Sequence, residues 1–524
     1  MLVLIVVGLN LASRAAEKPF WFDEILTLRV ARQPIGRPMW RAMTAGFEFN
    51  PPAIYVATQI SEKLFGRGSV TSRLPAILAG IAVFFCAYCI AARTGGAVTG
   101  FWAMLFLAAS GLMSYFYEAR GYALVLAGTM LSWLSWQHLP KARHRPIALA
   151  GIVVGLLVAL ASHMWAFVIP GCFVAGEITR WIRTGSRDPR SLAAIMAPLI
   201  VAFTYPPLVA ATRGIHFGGP VYNNSLLLGY MLTLYKLPVL WVVCTIVLAA
   251  ATLFSRNSLA SSVELRSAKG ATRGTLWTEL PRRQTEKELA GSSGAAEQAH
   301  RTFGARCAQL RPETAPVLRE FFNGAAVEDT VLALSLAMAP VAIWAMTGVV
   351  HTNFMTRYCL IAGLGFAFML AQFLASFSGW AHRAVTGLLM AVGLAFTGQT
   401  IHGVLVRDAW HTKSPLTGIF ASLGKFAKGD QPIVYSNGID FLQADYYAPP
   451  ALAKRFAYVA DRQLEIKFTN TDGVDSAFLL GPPYLKLRGK IISYADLRGF
   501  QGGFWLVGAS SPPNDVLNWI DQKL

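Results

Sequence analysis

Apolar residues fall along this chain in long runs separated by short polar breaks. A helix needs about 20 mostly apolar residues to cross the hydrocarbon core of a bilayer. Runs of that kind lie near 1–13, 74–92, 97–115, 121–139, 147–163, 165–179, 191–211, 226–254, 330–350, 358–378 and 384–404. They predict about eleven crossings. The first run is short and has no basic flank before it, and it reads as an anchor rather than a cleaved leader. After 404 the pattern becomes that of a water-soluble domain. There QPIVYS (431–436), SAFLLG (476–481) and GGFWLVGA (502–509) read as strands. IDFLQADYY, after Asn437-Gly438, reads as a helix, and DVLNWIDQKL as a closing amphipathic helix. The expectation is a polytopic all-α membrane domain over 1–404 with a small α/β domain over 405–524.

The charge distribution removes the soluble alternative. Only 14% of residues are charged, against about 25% in an ordinary soluble domain. Glu118 is the only acidic residue between Glu62 and Glu177, and there is none between Asp329 and Asp408. Such stretches cannot form a solvated surface, which excludes a soluble enzyme, a disordered chain and a disulfide scaffold. The formal net charge of +18 does not call for nucleic acid, because no basic stripe interleaved with aromatics stands outside the apolar runs. With an inside N-terminus, the inward connections hold nine basic residues: Arg93, Lys141, Arg143, Arg145, Arg180, Arg183, Arg187, Arg190 and Arg383. The short outward ones hold three, Arg120, Arg213 and Arg357. That is the positive-inside bias. It puts the loop 14–73 and the C-terminal domain outside, and the flexible, Arg-, Ser-, Gly- and Glu-rich stretch 255–325 inside. Cys86 and Cys89 form a CxxC within an apolar run, with no second pair or histidine near them, and read as packing residues.

On this topology the ionisable residues at outward span ends are the candidates for chemistry. They are Asp23, Glu24, Glu48 and Glu62 on the first loop, Glu118 and Arg120 between the third and fourth spans, His163, and Arg357. All fall on one side, although the topology was drawn from hydrophobicity and loop charge alone. Adjacent carboxylates at headgroup depth are costly unless they pair or work. Lys236 lies inside an apolar run, where it either snorkels or meets a lipid phosphate. The first loop's Arg29, Arg32, Arg37, Arg41, Lys63, Arg67 and Arg73 suit charge-assisted contacts to an anionic lipid head group.

WFDEILTL (21–28), FNPPAIY (49–55), LFGRGSVTSRLPAILAG (64–80), YEARGYALVL (117–126), SHMWAF (162–167) and TRYCL (356–360) resemble one family in order and spacing. It is the membrane glycosyltransferases of the C superfamily (GT-C), in particular the bacterial relatives of protein O-mannosyltransferases. Lipid A aminoarabinose transferases and rhizobial lipopolysaccharide galacturonosyltransferases are similar. The likeness covers about 1–210, and 330–400 more loosely. It implies a GT-C fold in a bacterial inner membrane, with the active site and C-terminal domain facing the periplasm. It also implies transfer of a sugar from a polyprenyl-phosphate donor to a hydroxyl of a glycan, lipid or protein acceptor.

By the same resemblance Asp23 is the general base of an inverting displacement, and Glu24 positions Asp23 or the acceptor. Arg120 and Arg357, with Lys236, would meet the donor phosphate. Glu118 would orient Arg120, and Tyr122, His163 and Tyr358 would line the sugar or lipid groove. Asn50, Pro51 and Pro52 would support the loop or the acceptor. Asn50 is a departure: many relatives carry His or Lys there, so one phosphate cation is missing. No cofactor is required on this reading. The adjacent carboxylates are also a pattern that binds a divalent metal, but Arg and Lys alone neutralise a monophosphate. The competing reading is a transporter or flippase of lipid-linked sugars. Such proteins tend to place their sites near the midplane and to carry internal repeats, whereas here the charges cluster at one boundary and no repeat is visible.

Overall fold

A computed structural model describes residues 2–48, 50–140, 142–216, 327–350, 354–375, 416–500 and 502–508, with scattered positions between 386 and 398 and at 520. The run 226–254 with Lys236, the stretch 255–325, nearly all of 384–404 and the closing helix lie outside the described residues.

The described apolar runs fold as helices. The first forms α1 (Leu2–Glu17), and the loop after it folds into α2 (Phe22–Ala31), α3 (Arg37–Met43) and α4 (Ala53–Phe65). Then come α5 (Ser69–Gly95), α6 (Ala97–Ala109), α7 (Tyr122–Trp136), α8 (Arg145–Leu160) and α9 (Ile169–Thr184). They are followed by α10 (Pro189–Met196), α11 (Tyr205–Thr212), α12 (Val327–Val350) and α13 (Ala362–Ala375). Among the described residues, α5, the run Pro189–Thr212 and Val327–Thr347 are long and apolar enough to cross a membrane, while α7, α8 and α13 are apolar but shorter. The run 97–115 is not one straight span. It bends by 77° between α6 and the 3-10 turn Gly111–Tyr117, at Ser110, whose extended backbone stops the helix and whose hydroxyl accepts the Leu112 N–H.

Small residues let the helices close on one another, as they do where lipid supplies no hydrophobic drive between helices. A Cβ on Gly128 of α7 would stand 2.3 Å from the Gly155 carbonyl of α8, and one on Gly365 of α13 would stand 2.1 Å from the Ala333 carbonyl of α12. At the opposite end of the bundle from the first loop, buried polar groups lock the helices. Trp136 donates to Glu177 (2.7 Å), Trp133 and Gln137 donate to Asp329 (2.7 and 2.9 Å), and Arg183 forks onto Glu328 (2.8 and 2.6 Å).

The C-terminal region builds a four-stranded parallel sheet from β1 (Ile433–Tyr435), β2 (Phe456–Val459), β3 (Lys490–Ile492) and β4 (Trp505–Val507), in the order β3-β2-β1-β4. Asn437 caps the helix Gly438–Tyr447 by accepting the Ile439 N–H (2.8 Å). SAFLLG, expected as a strand, lies in the helix Gly473–Leu480 and its exit. A six-residue apolar run fits a buried strand or a buried helical face equally well. Here the buried side chains are the consecutive Asp475, Ser476, Ala477 and Phe478, as on the inner turn of a helix.

The first loop and the sheet region share a core. Phe20, Phe22, Ile25, Phe47 and Tyr55 belong to one apolar cluster with Tyr435, Phe441, Phe456 and Phe478. Phe22 meets Phe478 edge-on at 6.0 Å and Phe47 stacks on Tyr484 at 5.5 Å. The Phe20 N–H donates to the Tyr447 hydroxyl (2.6 Å). Helix α2, which carries the adjacent carboxylates, is thus wedged between the helical bundle and the sheet region.

Candidate active site

Asp23 and Glu24 occupy the first turn of α2, where the helix dipole favours carboxylates. Successive helical residues diverge by about 100°, so the two acids meet different surroundings. Glu24 is fully buried against Arg73 of α5, whose Nε donates to Oε1 (2.7 Å) and whose Nη2 donates to Oε2 (2.6 Å). Arg73, itself fully buried, also donates to the carbonyls of Ala15 (2.6 Å), Lys18 (2.6 Å) and Pro19 (3.1 Å) and lies over the Phe20 ring at 4.5 Å. Glu24 Oε1 further accepts the Ala119 N–H (2.7 Å). Glu24 therefore joins α2, α5 and the 118–120 link, and has no face left for a substrate.

Asp23 meets two cations instead. Arg357 Nη1, on the 3-10 turn Thr356–Cys359, donates to Asp23 Oδ2 at 2.9 Å, and Arg120 Nη2 stands 3.7 Å from the same oxygen. The two arginines differ in commitment. Arg120 Nη1 donates to Glu48 (3.0 and 3.1 Å), to Thr27 Oγ1 (2.8 Å) and to the Asp23 carbonyl (3.1 Å). The side chains of Arg120 and Glu48 are 6% and 4% exposed, whereas those of Asp23 and Arg357 are 17% and 22% exposed. The pair a substrate can reach is Asp23 with Arg357.

Glu118 does not orient the Arg120 guanidinium. Its carboxylate takes Lys18 Nζ at 2.5 Å, and burial pushes its pKa above the ordinary carboxylate range although Lys18 opposes the shift. The physical reason is reach: the side chains at 118 and 120 diverge, and Glu118 faces the end of α1 instead. Glu48 does the orienting. It also accepts from Tyr55 (2.8 Å) and from the Asn50 amide. Sequence reasoning placed Glu48 on the loop but gave it no role; the available signal was a lone acid two residues before Asn50-Pro51-Pro52. Asn50 thus supports Glu48, and the Pro51-Pro52 pair leads into α4, whose Ala53 N–H reaches the Ala161 carbonyl (2.8 Å). First-loop cations used internally include Lys18 on Glu118, Arg73 on Glu24, and Arg32, which forks onto Glu62 (3.1 and 2.9 Å), with Arg67 3.8 Å from the same acid. Although burial alone would raise the Glu62 carboxyl, Arg32 and Ser72 hold it below its ordinary value. Arg37, Arg41, Lys63 and Arg67 stay exposed.

The aromatic candidates converge beside Arg357. The His163 ring stands 5.3 Å from Tyr122 and 5.7 Å from Tyr358, and its Nδ1 accepts the Trp165 N–H (3.2 Å). Tyr358 also faces Trp165 at 5.6 Å, and the Arg357 guanidinium lies 6.0 Å from the Tyr122 ring. Together with Val125, Leu126, Ile343 and Ile361 they line an open, largely apolar cleft. Among the described residues Arg357 is its one charged lining group. An apolar cleft ending at one cation, which in turn holds a partly exposed carboxylate beside it, suits an amphiphile with an anionic head. Among the described residues no three His, Cys, Asp or Glu side chains converge as metal ligands. Lys236 lies outside the described residues.

No family model matches the chain, and no curated protein matches it. Two solved structures of ArnT from Cupriavidus metallidurans are similar to it in general layout. The apo structure is 13% identical, with 93% of this chain and 75% of that chain covered and a TM-score of 0.36. The structure bound to undecaprenyl phosphate is 14% identical, with 97% and 92% covered and a TM-score of 0.39.

Proposed function

We propose that this protein is an integral membrane glycosyltransferase of the GT-C kind. It moves a sugar from a polyprenyl-phosphate donor to a hydroxyl acceptor on the outer side of a bacterial plasma membrane. The observation that carries the reading is the Asp23–Arg357 pair at the polar end of an apolar, aromatic-walled cleft. The prenyl chain would follow the apolar wall, and Tyr122, His163 and Tyr358 would hold the sugar against Arg357.

In the reaction Asp23 takes the proton of the acceptor hydroxyl as its oxygen attacks the anomeric carbon. The bond from that carbon to the phosphate oxygen breaks, its electron pair leaves with polyprenyl phosphate, and the configuration inverts. Positioned general-base catalysis contributes about 10²–10⁴-fold. A cation aimed at charge that develops only in the transition state contributes about 10²–10³-fold. Arg357 would take the second role. Arg120, buried on Glu48, holds α2 and the Asp23 backbone, and Glu24 with Arg73 fixes the same helix from behind.

The test is substitution with folding monitored. Asp23→Asn should cut transfer by about 10²–10⁴-fold while the detergent-extracted protein stays monodisperse. Arg357→Ala should lose more than Arg357→Lys, which keeps the charge. Transfer by Asp23→Asn near the parent rate would remove the general-base assignment.

A further inference from the structure

We propose that Arg357 is shared: it holds Asp23 in the resting site and passes to the phosphate in the step in which Asp23 takes the acceptor proton. This rests on the transferase reading above and adds how its base and its phosphate cation are coupled.

Among the described residues the reachable part of the site contains one carboxylate and one guanidinium, 2.9 Å apart, with Arg120 committed to Glu48, Thr27 and the Asp23 carbonyl. Arg357 uses Nη1 on Asp23, while its Nε has no hydrogen-bond partner among the described residues. It can therefore engage a second anion. A phosphodiester-linked sugar brings one negative charge. When the glycosidic bond breaks, the departing phosphate monoester carries two. In the same step Asp23 gains a proton and loses its charge. The sum over Asp23, Arg357 and phosphate is the same before and after, so the cation loses its need for the carboxylate at the moment the phosphate needs it most. In a low-dielectric cleft such conservation matters, because an uncompensated charge there is expensive.

The exchange also gives the site a way to reset. Once Asp23 releases its proton to water, the carboxylate competes again for Arg357 and weakens the hold on the spent polyprenyl phosphate. Asp23 then acts as an internal competitor of the product, and removing its charge should strengthen product binding.

The experiment measures binding of a short-chain polyprenyl phosphate to the purified full-length protein in detergent. The parent is compared with Asp23→Asn, Arg357→Ala and the double variant. Sharing predicts that Asp23→Asn binds at least about 10-fold more tightly than the parent, that Arg357→Ala binds at least about 10-fold more weakly, and that the double variant is as weak as Arg357→Ala alone. Equal or weaker binding by Asp23→Asn overturns the inference. So does a gain that survives in the double variant, because the carboxylate would then repel phosphate without Arg357. Absence of binding in every variant removes the lipid-phosphate class itself, and with it both the function and the exchange. Asp23→Asn conserves shape at a partly exposed position, and Arg357→Lys, run beside Arg357→Ala, should keep part of the affinity if a folding defect is not the cause.

Discussion

Replacing Arg73 with Met tests the frame that holds the candidate base. Arg73 and Glu24 are both fully buried and paired through two hydrogen bonds of 2.7 and 2.6 Å. Removing the guanidinium leaves the Glu24 carboxylate with the Ala119 and Trp21 N–H groups as its remaining hydrogen-bond donors (2.7 and 3.4 Å). It also orphans the carbonyls of Ala15, Lys18 and Pro19. Breaking a buried pair from one side costs about 3–5 kcal/mol. In a protein of this size that lowers the unfolding midpoint by about 3–5 °C. Adding Glu24→Gln to Arg73→Met should recover part of the loss, because the buried charge is then gone. The assay is thermal unfolding of detergent-extracted protein followed by size-exclusion profile, with both single variants and the double. A midpoint for Arg73→Met within about 1 °C of the parent would show that the pair does not hold α2. Additive effects in the double variant would show that the two residues act separately.

Two further outcomes follow from neighbouring contacts. Glu48→Gln should lower kcat by up to about 100-fold with a smaller change in donor KM, because Arg120 would shift under α2 while Arg357, the charged group of the cleft, keeps its place. Tyr55→Phe should be milder, and steady-state kinetics on both variants check the order. In the sheet region Glu465 is pushed from 4.5 up to about 9 by burial and by Asp475, so the folded state keeps a proton that the unfolded state loses. Stability from this group is greatest at acid pH and falls as pH rises from 4.5 towards 9. Glu465→Gln should raise the unfolding midpoint increasingly with pH over that window. Parallel midpoint curves for parent and variant would refute the assignment.

The hydrophobic runs located the helices because a bilayer leaves a chain few other ways to satisfy its backbone. They could not show that Ser110 breaks the third run or that the first loop packs on the sheet region, since both depend on tertiary contacts. That Asp23, Arg120, His163 and Arg357 gather at one end of the helices was legible from position alone. Their pairing was not. Glu24 finds Arg73 at 49 residues, Glu48 finds Arg120 at 72 and Glu118 finds Lys18 at 100, and no local pattern encodes such partners. Adjacency suggested that Asp23 and Glu24 act together, whereas helical geometry turned one towards the cleft and the other into a buried ion pair. Of the strands, β1 and β4 stood out as apolar runs beside glycine or asparagine, while β2 and β3 are three or four residues of a chain that reads as loop.

The most direct measurement offers membranes carrying the parent protein or Asp23→Asn a panel of polyprenyl-phosphate sugars labelled in the sugar. It follows label leaving the donor lipid and the leaflet in which labelled lipid lies. The account predicts loss of label from one donor, with the parent only, into a product of inverted anomeric configuration. If no donor is consumed and labelled lipid changes leaflet equally with both proteins, the protein is a carrier and the role given to Asp23 is wrong.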